Sequence, residues 1–278
     1  ELPADFFAIF LGPHRKYSAC YWSNDTSTLA EAETAAIEIT CQRADLMDGQ
    51  DILELGCGWG SLSLWMAERF PRSRITAVSN SAAQRRYIER EAMARKLANL
   101  RVVTADMNVF NTDKSAYDRV VSVEMFEHMK NLALLLERIA GWLRPDGKLF
   151  VHHFCHREYA YSFETEGDSN WMGRYFFTGG LMPCDRMLHA FDRDMQVVDH
   201  WTWGGTHYRR TAEAWLDNLD AARHEVMPIL EATYGQQQSH RWFHRWRVFF
   251  LAVAELFGFA NGKEWYVSHS LLRPKESN

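Results

Sequence analysis

Three glycines at alternate positions, in the run Glu54-Leu55-Gly56-Cys57-Gly58-Trp59-Gly60, follow directly on the short apolar stretch Asp51–Leu55. They precede a segment with helical spacing, Ser61–Phe70, marked by Leu62, Leu64, Trp65, Ala67 and Phe70. A strand that ends in glycines and turns at once into a helix belongs to a βαβ unit whose turn lets a ligand approach the backbone. The alternation continues. Arg74–Val78, Leu100–Thr104, Tyr117–Val123 and Lys148–Phe154 read as four more strands. Ser81-Ala82-Ala83-Gln84 reads as a capping box opening a polar helix to about Leu97. Leu132–Leu143 reads as a helix halted by the turn signal Arg144-Pro145-Asp146-Gly147. Five strands with intervening helices imply an α/β fold with a doubly wound parallel sheet. Ligands of such sheets sit at the carboxyl ends of the strands, here Gly56, Ser79, Asp106, Glu124 and His153.

Beyond residue 155 the alternation breaks down. Arg157–Ala190 reads as a loop-rich, partly helical insertion and Gln196–Trp203 as a strand. Thr211–Tyr234 and His240–Phe257 read as long helices, and Glu264–Leu272 as a last strand. Four regions are expected: a helical segment over 1–50 that covers the cofactor, an α/β core over 51–155, a mainly helical substrate-binding insertion with one core strand over 156–260, and a final core strand over 261–278.

Net charge −5 gives no global attraction to a phosphate backbone, which disfavours nucleic acid as substrate. The five cysteines are odd in number and none are paired as CxxC, so a reducing cytoplasm fits better than a disulfide framework. The chain opens at Glu1, as a processed or trimmed chain does, and no signal segment follows. The longest apolar stretch, near Val248–Ala254, is too short to span a bilayer.

The GxGxG spacing, with an acid two places before the first glycine, resembles motif I of class I methyltransferases. In that motif the turn cradles S-adenosylmethionine, whose product is S-adenosylhomocysteine. The acid that often ends the second strand there is absent, and Ser79-Asn80 stands in its place. Asp106-Met107 ends the third strand, where such folds hold the adenine; a turn cap is the alternative reading of Asp106.

The fourth strand runs into Glu124-Met125-Phe126-Glu127-His128. In a helix starting there, Glu124, Glu127 and His128 would share one face at the carboxyl edge of the sheet. Two carboxylates and a histidine suit an amine acceptor. The carboxylates draw in the ammonium, and a histidine titrating near neutrality accepts its proton. The alternative is a helix N-terminus that simply favours acids.

Several segments together resemble the plant coclaurine-type N-methyltransferases, within the cyclopropane-fatty-acid synthase superfamily. They are Lys16-Tyr17-Ser18, Leu53–Gly60, Ser79-Asn80-Ser81, Glu124–Asn131, Val151–His156, Trp171–Pro183, Asp199–Thr211 and Asn261–Trp265. The long helical segment that many relatives carry before the first of these is not in the sequence. The resemblance implies a class I methyltransferase Rossmann-like sheet with a helical substrate-binding cap. It implies cofactor contacts from Tyr17, Ser18, Glu54, Gly56, Gly58, Ser79, Asn80, Gln84, Asp106, Met107 and Val123. It implies acid/base roles for Glu124, Glu127 and His128. Tyr175, Phe176, Tyr208, Phe249 and Trp265 are the expected walls of the acceptor pocket, with a place in the helical core as the equal alternative.

Cyclopropane-forming relatives hold a bicarbonate ion. Glu127, His152 and Tyr208 match their pattern, but Ala19 stands where their cysteine is expected and Val253 replaces a second one. Those lipid enzymes carry a small residue where this chain has Glu124. A carboxylate there suits a cation and is costly beside an alkene. The expectation is a cytoplasmic methyltransferase acting on the nitrogen of a small aromatic amine, isoquinoline- or phenethylamine-like. The rival is a lipid-modifying enzyme of the cyclopropane type. A homodimer is left open. No metal is expected, since His152 and His153 fall on opposite faces of a strand.

Overall fold

A computed structural model describes residues 2–25, 28–167 and 170–275. Glu1 and residues 276–278, which bound two of the expected regions, lie outside these. The elements run α1 (Ala4–Phe10), α2 (Leu29–Arg43), β1 (Asp51–Leu55), α3 (Ser61–Arg69), β2 (Arg74–Ser79), α4 (Ala82–Ala94), β3 (Leu100–Thr104), β4 (Tyr117–Val123), α5 (Leu132–Trp142) and β5 (Leu143–His156). They continue with β6 (Tyr161–Ser162), α6 (Trp171–Tyr175), β7 (Leu181–Met182), β8 (Met195–Trp203), α7 (Thr206–Ala221), α8 (Arg223–Tyr234), α9 (Gln236–Gly258) and β9 (Trp265–Pro274).

Seven strands form one sheet in the order β3-β2-β1-β4-β5-β9-β8. The first five are mutually parallel, and β9 runs antiparallel between β5 and β8. Strand order reverses between β1 and β4, which opens a crevice at their carboxyl ends. Strands buried on both faces read as continuous apolar runs. Ile52, Ile75, Val121, Phe150 and Leu271 pack with Ile37 of α2 and with Leu62 and Met66 of α3. Leu53, Val120, Leu149, Val151 and Leu272 pack with Leu135, Leu136 and Ile139 of α5. A third cluster joins α1 to the cap helices α7 and α9 through Phe6, Phe10, Trp215, Trp246 and Phe250.

Four local expectations are corrected. The Arg144-Pro145-Asp146-Gly147 signal does not separate helix from strand. Leu143 already pairs with Tyr117, and the signal becomes an irregularity before Lys148 pairs with Arg119. The Ser81 hydroxyl caps Gln84 N–H, but the Gln84 carbonyl accepts from Ser79, so only half of the box bears on the helix end. Thr211–Tyr234 is two helices meeting at Ala222. Finally, no helix begins at Glu124. That residue takes φ 48°, and a single 3-10 turn follows over Phe126–His128.

Candidate active site

The glycine turn sits at the β1/β4 crevice. Gly56 has φ 81°, and a Cβ there would fall 2.7 Å from Cβ of Met125. Only glycine allows this turn to lie against the segment that carries Glu124. Gly56 N–H and Cys57 N–H both donate to Val78 O at 3.0 Å, which ties the turn to β2. A cavity opens beside it, bordered by Lys16, Tyr17, Ser18, Glu54, Gly56, Gly58, Gln84, Val123 and Glu124. Glu54 is buried, accepts the Ser63 hydroxyl, and is pushed up to about 8 by burial. A Cβ on Gly58 would meet no protein atom. An open glycine cradle with adjacent hydroxyl, amide and carboxyl groups fits the amino-acid part of S-adenosylmethionine.

The expected cofactor residues divide. Tyr17, Ser18, Glu54, Gly56, Gly58, Gln84 and Val123 border this cavity. Ser79, Asn80, Asp106 and Met107 do not border it. Ser79 donates to Gln84 at 2.6 Å and receives Ser81 N–H. Asn80 is exposed. Asp106 accepts from the backbone and side chain of Asn108 at 2.8 and 2.9 Å, which is the turn cap of the alternative reading. Met107 is buried beside Leu55, Val78 and Phe126.

A second, aromatic cavity lies under the cap, and it shares Tyr17 and Glu124 with the first. Phe176, Tyr208 and Phe249 line it as expected. Phe176 and Phe249 stack at 4.3 Å and 5°. Tyr175 and Trp265 stand outside. The Tyr175 ring is covered by the Arg245 guanidinium at 3.9 Å, and Trp265 donates to the Tyr161 hydroxyl at 3.0 Å. Sequence reasoning missed Phe154, Phe163, Phe177 and Phe257, which also line the cavity. Their positions follow no single periodicity because they come from β5, two loops and α9. A larger hollow, about 510 Å³, borders Pro13, Gly60, Ser61, Trp65 and Arg95 but carries neither Glu124 nor His128, so it lies apart from the aromatic cavity.

Glu124 stands where the cavities meet. Its Oε1 accepts Ala19 N–H at 2.9 Å and lies 3.2 Å from His152 Nε2; its Oε2 accepts the Tyr208 hydroxyl at 2.8 Å. Burial raises its pKa, opposed by the charge of Lys16 and by the Ala19 and Tyr208 hydrogen bonds. Lys16 is itself buried, with Nζ donating to Ser18 Oγ and Ala19 O. His128 also lines the aromatic cavity and stacks on Phe177 at 5.6 Å. Desolvation there lowers its pKa, and the Glu124 charge acts against that.

Glu127 does not share this face, since the helix that would align it is absent. It is wholly buried behind the cavity wall, accepts Phe154 N–H at 2.9 Å, and its Oε2 has no partner among the described residues. Burial, then the charge of Glu124, pushes it well above the carboxylate range.

Residues 1–261 match the family model described as mycolic acid cyclopropane synthetase. The chain is 43% identical to the (S)-coclaurine N-methyltransferase of Thalictrum flavum subsp. glaucum, over 99% of this chain and 77% of that protein. It is 38% identical to the enzyme of the same name from Papaver somniferum, over 99% and 79%. The cyclopropane-fatty-acyl-phospholipid synthase of Escherichia coli K12 is 28% identical over 81% of this chain and 56% of that protein. Among solved structures, a coclaurine N-methyltransferase bound to N-methylheliamine and S-adenosylhomocysteine superposes with TM-score 0.94 at 40% identity, covering 98% of this chain and 79% of that one. A mycolic acid cyclopropane synthase at 22% identity and TM-score 0.80, over 98% and 94%, shares the fold. The chain therefore belongs to the mycolic acid cyclopropane synthetase family and, within it, to the coclaurine-type N-methyltransferases, and it is an S-adenosylmethionine-dependent methyltransferase.

Proposed function

We propose that the chain methylates the nitrogen of a small aromatic amine of the isoquinoline type, the class named in the relatives (S)-coclaurine and pavine N-methyltransferase. The observation that carries the reading is the Glu124 carboxylate at the junction of the glycine-turn cavity and the aromatic cavity. S-Adenosylmethionine, when bound, supplies an electrophilic methyl group. An alkyl ammonium titrates near ~10, so freeing its lone pair at pH 7 costs about 4 kcal/mol at ~1.4 kcal/mol per unit. Glu124 draws the ammonium to the junction. His128, neutral at pH 7 because its pKa is lowered, accepts the proton at the cavity wall. The aromatic rings hold the acceptor's flat face and exclude water, which orients nitrogen toward the crevice. Glu127 backs the junction through Phe154 N–H.

In this reading 1–50 close over the cofactor, 51–155 hold it, and 156–260 supply the acceptor walls. Of the expected cofactor contacts, Ser79, Asn80, Asp106 and Met107 would act at the outer, adenosine end. The reading extends to a cytoplasmic enzyme of small molecules. None of the described cysteines is disulfide-bonded, and no helix of the described residues is long and apolar enough to cross a membrane. The test offers S-adenosylmethionine with a panel of isoquinoline and phenethylamine amines and, separately, unsaturated phospholipid vesicles. A methylated amine by product mass supports the proposal. Methyl or methylene added to acyl chains, with no amine product, overturns it.

A further inference from the structure

On the sheet face covered by α2, the antiparallel register sets His152 of β5 directly opposite His269 of β9. The next strand sets Trp201 opposite His269. Both histidines are wholly buried among neighbours such as Phe150 and Leu271, where an imidazole persists only if its nitrogens are bonded. They are bonded in a row. Arg43 Nη1 lies 2.8 Å from His269 Nδ1, His269 Nε2 lies 2.9 Å from His152 Nδ1, and His152 Nε2 lies 3.2 Å from Glu124 Oε1. Arg43 is the last residue of α2, where a cation is favoured by the helix dipole. Its guanidinium stands 5.2 Å from the Trp201 ring and 5.8 Å from the Trp203 ring. The Trp203 ring in turn walls the row, 4.4 Å from His269 and 5.4 Å from His152.

The row has a direction. A guanidinium only donates, so His269 Nδ1 must accept. A neutral His269 then carries its hydrogen on Nε2 and donates to His152 Nδ1. His152 therefore carries its own hydrogen on Nε2, facing the carboxylate. Burial lowers both histidines well below their ordinary value, which keeps them neutral. Had the row run the other way, His152 would turn a lone pair toward Glu124 and repel its charged form.

We infer that Arg43 and His269 are positioning residues for amine methylation: acting through His152, they hold the Glu124 carboxylate ionised and aimed at the junction of the two cavities. This rests on the reading of Glu124 as the ammonium-binding group. The other titratable groups around Glu124 are Lys16, Tyr17, Cys20, Glu127, His128, His153 and Tyr208, and none of them belongs to the row.

The test uses the full chain and two readouts. Nitrogen NMR of the imidazoles in the cofactor-free protein should show His269 protonated at Nε2 and bare at Nδ1. Arg43→Met keeps the contact with Trp201 but removes the donor, and it should mix the tautomers. In the pH profile of kcat/KM the acid limb should then move up by about one unit, equivalent to ~1.4 kcal/mol. Activity should fall about tenfold on the acid side and far less on the plateau. Arg43→Lys, which keeps a charged donor, should restore most of the limb. An unchanged limb in Arg43→Met, or an equal fall at every pH, overturns the inference. So does a wild-type His269 protonated at Nδ1, whether or not the variant folds. A wild-type enzyme that methylates no amine in the panel refutes the proposed function instead, and the tautomer measurement still decides the row.

Discussion

Replacing Glu124 by glutamine separates charge from shape at the junction. The amide oxygen can keep both Oε1 contacts, Ala19 N–H and His152 Nε2, and the amide nitrogen can donate to a reoriented Tyr208 hydroxyl. Alanine is a poorer probe, because it strands three donors in a buried site at about 1–3 kcal/mol each. A carboxylate about 4 Å from an ammonium, in surroundings of effective dielectric about 20, contributes about 4 kcal/mol. Lys16 opposes that field, and His128 opens to solvent at the cavity mouth, so the expected loss is smaller. Glu124→Gln should lower kcat/KM for a cationic amine about a hundredfold, or about 2.7 kcal/mol. Initial rates by product mass measure this, and calorimetry should show cofactor affinity within about threefold of wild type, an effect below 1 kcal/mol. A weakly basic aromatic amine, neutral at pH 7, should lose far less. Equal losses for the cationic and neutral acceptors would refute the electrostatic role, as would a parallel loss of cofactor affinity.

Glu54 keeps its proton in the folded state up to about pH 8, whereas the unfolded chain releases it near 4.5. Stability of the cofactor-free protein should therefore fall as pH rises across that window, by as much as about 5 kcal/mol at ~1.4 kcal/mol per unit. Denaturant titrations of Glu54→Gln should show that slope flattened; an identical slope refutes the assignment. Gly56→Ala forces a Cβ to within 2.7 Å of Met125 at φ 81°, so melting and cofactor calorimetry should report a loss of about 1–3 kcal/mol. Phe249→Leu removes the ring stacked on Phe176, which should cost about 1 kcal/mol of acceptor binding and raise KM about fivefold. Tyr175→Leu, at a half-buried ring outside the cavity, should change KM by less than about twofold, an effect below about 0.5 kcal/mol.

The parallel strands were legible because β1, β2 and β4 are short, largely buried apolar runs and the edge strand β3 keeps the Val102-Val103 pair, and β1 to β4 lie within a residue of their sequence-read bounds. The small β6–β7 pair was not legible, since two-residue strands carry no periodicity. The junction was legible in composition but not in geometry. Glu124-Met125-Phe126-Glu127-His128 has helical spacing, yet Glu124 adopts a left-handed φ that local propensity disfavours. The contacts that hold it there come from Ala19, His152 and Tyr208, which are 105, 28 and 84 residues away in the chain. No window of sequence contains that information. Glu127 shows the same limit. Its spacing put it on the working face, and the short 3-10 turn puts it behind. Tyr175 and Trp265 were drawn in by residue type alone, and aromatic type does not say which side of a cap a ring faces.

Glu124 is also where the chain can separate amine chemistry from alkene chemistry on a shared fold. A buried carboxylate beside an apolar double bond has lost water and gained nothing. Beside an ammonium, the same desolvation strengthens the attraction. This chain adds donors rather than removing the charge: a backbone N–H, a phenol and an imidazole all point at one side chain. Such a site favours an acceptor that arrives positively charged and must give up a proton. In the proposed function, its position between cradle and aromatic cavity would hold the acceptor's nitrogen, rather than its rings, at the crevice.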